Sequence, residues 1–171
     1  MSTQDRIRLK QLERQAEGYL ELGMAEHALD VLDRLGDAAK WSPHALYLCG
    51  EALRELERYE QAVRPLRRAA KADPDNPHVW LALGWCHKRT GQIGSAIKVM
   101  ERAMEAEPDN ALVHYNLACY LSLSGDKDRA LVHLSQAFAR EPHFRTLVHE
   151  EPDFDPIRSD PGFQALVSVI V

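Results

Sequence analysis

Residues 76–110 read NPHVWLALGWCHKRTGQIGSAIKVMERAMEAEPDN, and the fold is decided there. Asn76 can cap a helix, and Pro77 can sit in its first turn, where a missing N–H costs nothing. Trp80, Leu83, Gly84 and His87 follow at helical spacing. Gly91-Gln92 interrupts the helix, and a second run sets Ile93, Ala96, Ile97, Met100, Ala103 and Met104 on one face. Glu107-Pro108-Asp109-Asn110 closes it. A helix pair of this size cannot bury its apolar stripe alone, so it needs neighbours of the same kind.

The neighbours are present. A step of 34 residues back from Gly84, Ala96, Met100, Ala103 and Pro108 meets Gly50, Ala62, Leu66, Ala69 and Pro74. The same step forward meets Ala118, Ala130, Leu134, Ala137 and Pro142, and 68 residues back stand Ala16, Ala28, Leu32, Leu35 and Lys40. Small residues recur where helices touch, a large apolar residue recurs between them, and proline recurs after the second helix. The pattern resembles the tetratricopeptide-repeat (TPR) family, whose unit is a helix–turn–helix of this length. The resemblance implies an all-α, right-handed α-solenoid forming one domain over residues 1–171. Its repeats would span approximately 9–42, 43–76, 77–110 and 111–144, with a C-terminal cap over 145–171.

Composition fits a repeat protein and excludes several classes. The 171 residues are 45% hydrophobic and 27% charged, ordinary values for a soluble protein. The net charge of −5 argues against a nucleic-acid partner, because phosphate binding needs clustered Lys and Arg. The start, MSTQDRIRLKQLERQ, lacks the apolar core of a signal peptide, and no apolar run is long enough for a membrane. No direct membrane insertion and a cytoplasmic location are therefore expected. Cys49, Cys86 and Cys119 lie on successive first helices without a CxxC, which reads as reduced, half-buried thiols.

Along the chain, Ser2 or Thr3 can cap a helix running to about Glu21, and a second helix is expected from Ala25 to Leu35, ending at Gly36. Pro43–Leu56 and Tyr59–Ala72 form the next pair, with Pro65 bending the latter helix without breaking it. Arg64, Arg67, Arg68 and Lys71 make a basic stripe that reads as a solvated outer face. Beyond Phe144, Pro152, Pro156 and Pro161 forbid a continuous helix; Phe154 and Ile157 look like an apolar plug, and Asp160-Pro161 starts a last helix bearing Phe163, Leu166, Val167 and Ile170. YNLACYLSLSGDKDRAL followed by EPDFDPIRSDPGF resembles the end of many bacterial TPR arrays, where a DPDFDPIRSDPGF-like element covers the open face of the last repeat.

No catalytic constellation is legible: there is no nucleophile elbow, no HExxH and no glycine-rich phosphate loop. Adjacent Cys86 and His87 diverge by about a hundred degrees on a helix and cannot pair. His87 reads as a core residue, and His114 and His133 as inter-helix neighbours. No cofactor, no metal and no enzymatic activity are expected.

The TPR resemblance implies that first helices line a concave groove. Carried over by slot, that groove has His44, Tyr47, Glu51, Arg54 and Glu55, then His78, Leu81, Trp85, Lys88 and Arg89, then Leu112, Tyr115, Asn116, Cys119 and Ser122. Lys10, Glu13, Glu17, Leu20 and Glu21 would form its acidic first end. Trp80 fills the packing slot, so Trp85, five residues on, faces elsewhere and reads as the anchor for a peptide or helix partner. Arg54, Lys88 and Arg89 read as a basic cluster that selects an acidic segment. The clamp by which some TPR proteins hold chaperone tails is not matched, since Glu13 and Glu17, or Tyr47 and Glu51, stand at its lysine and asparagine slots, Leu112 replaces its second lysine, and Asn116 alone agrees. The expected function is a protein–protein interaction scaffold. Alternatives are self-assembly through the groove or the apolar tail Leu166–Val171, and a small chaperone for a secreted bacterial substrate.

Overall fold

The computed structural model describes residues 3–168. Ten α-helices are described: α1 Thr3–Glu21, α2 Ala25–Asp33, α3 Pro43–Glu55, α4 Tyr59–Ala72, α5 Pro77–Arg89, α6 Ile93–Ala106, α7 Ala111–Ser124, α8 Lys127–Arg140, α9 Phe144–Leu147 and α10 Pro161–Ser168. Two 3-10 segments, Ala38–Lys40 and Pro152–Ile157, join α2 to α3 and α9 to α10. No strand forms among the described residues. The fold is the all-α, repeated helix–turn–helix class that the sequence period implies. Ser2 as a cap, and Val169, Ile170 and Val171 of the apolar tail, lie outside the described residues.

Two compact units divide the chain after Thr90. In the first, α1 packs on α2 and α3 on α4, while α1, α3 and α5 lie side by side. In the second, α7 packs on α6 and α8, and the 3-10 segment Pro152–Ile157 lies against α7. The repeated slots are the core of both: Ala28, Ala62, Ala96 and Ala130 are 0% exposed, as are Leu32, Leu66, Met100 and Leu134. Caps recur at the same period. Ser42 Oγ accepts from Ala45 N at 2.9 Å, Asn76 Oδ1 from His78 N at 3.1 Å, and Asn110 Oδ1 from Leu112 N at 3.1 Å. Each satisfies a helix N–H that has no partner within the helix. As expected, α4 runs through Pro65 unbroken.

α2 departs from expectation, ending at Asp33 and not at Leu35, before Gly36 takes a φ of +80°. The basic stripe also departs in part. Arg64, Arg67 and Lys71 are solvated, but Arg68 donates to the carbonyls of Ala38 and Ala39 at 2.9 and 3.1 Å.

The turns between paired helices carry a left-handed residue at the same slot. Gly23, Gly91 and Gly125 take φ of +68°, +73° and +84°, and the second repeat places Glu57 there at +58°. A side chain in this conformation costs about 1–2 kcal/mol, which glycine avoids. Glu57→Gly is expected to stabilise the protein by about 0.5–1 kcal/mol, the larger backbone entropy of unfolded glycine offsetting part of the relief. Urea midpoints of the two proteins check this, and a lowered midpoint would refute it.

The pair of histidines on α7 and α8 is a polar contact inside the second unit. His114 Nε2 lies 2.8 Å from the Pro108 carbonyl and must donate to it. Neutral His114 then has a bare Nδ1, so His133 Nδ1, 3.0 Å away, is the donor. His133 is held below the ordinary imidazole value by burial, then by His114 and Arg129, with Glu101 opposing. A depressed histidine favours the neutral folded form, so its contribution is complete above about pH 6.5 and is lost as the pH falls below that. His133→Gln keeps an N–H to offer His114 but does not titrate. Its melting temperature should therefore fall less than the native protein's between pH 7.5 and 5.5, and equal slopes would refute the assignment.

Candidate partner-binding surface

In the first unit, α1, α3 and α5 present one continuous face. Each is placed by its buried side: Leu12 and Ala16 on α1, Ala45, Leu48 and Ala52 on α3, Val79, Leu83 and Cys86 on α5. The residues between these positions therefore turn outward. Tyr47, Glu51, Arg54, Leu81, Trp85 and Lys88 are half-buried, and His44, His78 and Arg89 are exposed. Trp80 is half-buried as well, with Nε1 donating to the Pro74 carbonyl at 2.7 Å.

Charge is arranged across this face. Glu17, Glu21, Glu51 and Glu55 surround an open hollow of about 280 Å³ floored by Leu20, Tyr47 and Leu48. Burial, then the charge of Glu51, pushes the Tyr47 phenol up to about 12. His44 Nε2 lies 3.9 Å from Glu17 Oε2. On α5 the sign reverses. Lys88 Nζ sits 4.9 Å above the Trp85 ring, and the Arg89 guanidinium lies 6.0 Å from Trp85 and 4.7 Å from Tyr59. Cations at such distances are attracted by the ring quadrupole.

Arg54 corrects the expected basic cluster. Its Nε and Nη2 bond both carboxylate oxygens of Glu51, at 2.9 and 2.8 Å, so it neutralises Glu51 alone among the carboxylates of the hollow and is not a free cation. The i, i+3 spacing of Glu51 and Arg54 was the sequence signal for this pair.

Tyr115 and Cys119 also depart from the expected groove. In the second unit Tyr115 is 6% exposed, stacked on Phe144 at 4.5 Å and met edge-on by Phe154 at 5.6 Å. Burial holds its phenol well above the ordinary range. Cys119 and Ser122, one and two turns along, are 2% and 0% exposed. None of the three side chains is presented to a partner, and over Tyr115 that side of α7 is taken by Phe144 and Phe154. Leu112, at 43% exposure, and half-buried Asn116 are still presented. Residues 148–158 are held together by Arg158, a residue without a role assigned from sequence. It donates to the carbonyls of Val148, His149 and Glu151 at 3.1, 3.1 and 2.7 Å and to Asp155 Oδ1 at 2.8 Å.

Burial pushes the Cys49 and Cys86 thiols up to about 11, away from thiolate reactivity. Among the described residues no group of three His, Cys, Asp or Glu is placed to hold a metal ion, and no helix is long and apolar enough to cross a membrane.

Paired helices at a fixed period, with outward aromatic and charged residues on the first helix of each pair, define a helical-repeat protein of the kind built on supersecondary units. The tetratricopeptide-repeat family model matches residues 19–86 and 53–118, together more than half of the 171-residue chain, and the chain belongs to that family. Solved structures share the fold. A crystal structure of MamA is 19% identical over 81% of each chain, with a TM-score of 0.74. MamA from Desulfovibrio magneticus RS-1, residue 41 to the end, is 22% identical over 92% of each chain, with a TM-score of 0.70. YrrB, described as a TPR protein with an unusual peptide-binding site, is 21% identical over 79% of this chain and 70% of its own, with a TM-score of 0.71. Comparison with curated proteins gives no match.

Proposed function

We propose that this protein is a non-enzymatic interaction scaffold whose α1/α3/α5 face holds a peptide, helix or protein surface. The carrying observation is Trp85, half-buried on α5 with Lys88 Nζ 4.9 Å and the Arg89 guanidinium 6.0 Å from its ring, while a carboxylate-lined hollow opens between α1 and α3 of the same unit. Tryptophan beside charge is a typical interface anchor. The partner would lay an apolar side chain on Trp85 and Leu81, an acidic group toward Lys88 and Arg89, and a basic group toward Glu17, Glu21 and Glu55. Opposed charges at the two ends of one face fix the direction in which such a segment lies. The reading takes residues 9–144 as four repeats of one array closed by a cap of the bacterial end-of-array type. The peptide-binding description of YrrB, a protein of the same fold, supports it.

The test is capture of partners from a cell lysate by native, Trp85→Ala and Arg89→Glu proteins. A partner held by the native chain is expected to be lost with Trp85→Ala while the melting temperature stays within a few degrees. A partner retained by Trp85→Ala would refute the assignment.

Self-association is a second reading, favoured by Val132 at 58% exposure beside an open hollow of about 440 Å³ that Leu131 and Leu166 also line. Sedimentation across a concentration series decides it, and a strict monomer would rule it out.

A further inference from the structure

A cavity of about 560 Å³ opens in the first unit between the start of α1 and the segment joining α2 to α3. Leu9, Leu35 and Trp41 wall it, and Arg6, Lys10 and Lys40 stand around it. A lapse in the repeat creates this space. α4, α6 and α8 each have 14 residues, whereas α2 has 9. The last turn that the other second helices supply is absent beside α1, and residues 34–42 replace the short proline turns of 73–76 and 107–110. Lys40 takes the slot of Pro74, Pro108 and Pro142. The volume falls within the roughly 300–1,000 Å³ of ligand pockets.

The polar groups around the cavity are unevenly engaged. Glu13 accepts from Ser42 Oγ at 2.6 Å, and Asp37 accepts from Ala39 N at 3.0 Å and lies 4.0 Å from Lys40. Trp41 Nε1 donates to the Gly36 carbonyl at 3.1 Å, which leaves the indole as an apolar wall. Arg6 and Lys10 have no hydrogen-bond or ion-pair partner among the described residues. They stand one helical turn apart, roughly 6 Å along the axis. Alternate side chains of an extended peptide are spaced by about 6.7 Å, close to the same interval.

We propose that this cavity binds an extended acidic peptide segment in which a large apolar side chain lies between two carboxylates. The carboxylates meet Arg6 and Lys10 along α1, and the intervening side chain turns across the cavity to Leu35 and Trp41. A single small carboxylate would engage only one of the two cations. Trp85 does not line the cavity, which shares no lining residue with the hollow beside Tyr47.

Fluorescence anisotropy of a labelled Gly-Glu-Phe-Glu-Gly peptide, titrated with the full chain, tests the assignment. Saturable binding is expected. Arg6→Glu combined with Lys10→Glu, both exposed positions, should weaken it about tenfold or more, as should raising the salt. Trp41→Ala should weaken it likewise, whereas Trp85→Ala should leave it unchanged. A Gly-Lys-Phe-Lys-Gly peptide should not bind. The proposal is overturned if the native chain does not bind, if binding survives the double charge reversal with its circular dichroism intact, or if Trp85→Ala abolishes it. Displacement by octanoate at equal concentration would assign the cavity to free carboxylic acids and overturn the peptide reading.

Discussion

Phe154→Ala is expected to destabilise the second unit by about 3–5 kcal/mol, the range for removing a fully buried aromatic ring. Phe154 is 0% exposed, meets Tyr115 edge-on and lies 5.8 Å from Phe163. It therefore joins α7 and α10 through one side chain. Its removal leaves a cavity and uncovers Tyr115, whose neighbours in the cap are Phe144 and Phe154. The loss should appear as a lower urea midpoint and as faster amide exchange in α7. Leu147→Ala, at a site 49% exposed, is the control and should change stability little. A loss below about 1 kcal/mol for Phe154→Ala would mean that this ring does not hold residues 144–157 against α7.

Gly50→Ala should cost about 1–3 kcal/mol, the usual range for overpacking. A β-carbon on Gly50 would lie 2.3 and 2.4 Å from Leu66 Cγ and Cδ2. Leu66 is 0% exposed and has little room to withdraw. Helix propensity alone predicts the reverse sign, a gain of about 1 kcal/mol for alanine over glycine in a helix. Thermal melting separates the two effects. A higher melting temperature for Gly50→Ala would show that propensity outweighs the contact. Gly50→Ala combined with Leu66→Ala should be less costly than the sum of the single changes, because the clash is shared.

Helical spacing and a constant period are local properties, and they sufficed for the repeats. Tyr59–Ala72 was bounded correctly by its flanking turns, and Ala62, Leu66 and Ala69 were legible as core because helical spacing puts them on one stripe. The caps at Ser42, Asn76 and Asn110 were equally plain, since each bond spans two or three residues. The plug at Phe154 and Ile157 could be recognised as apolar, but not the ring it would cover.

By itself the sequence determined the helix pairs, their register, the small-residue contacts and the family. Tertiary structure alone decided which outward positions stay outward. Tyr115 is buried because Phe144 and Phe154, distant along the chain, arrive over α7. Gly50 stands in the slot that Ala16 and Ala118 fill in other repeats, and a β-carbon there would meet Leu66 of α4. The cavity beside Trp41 likewise arises where a shortened helix fails to reach its neighbour. Periodicity fixes the direction in which a side chain leaves its helix; burial depends on what long-range packing brings to meet it.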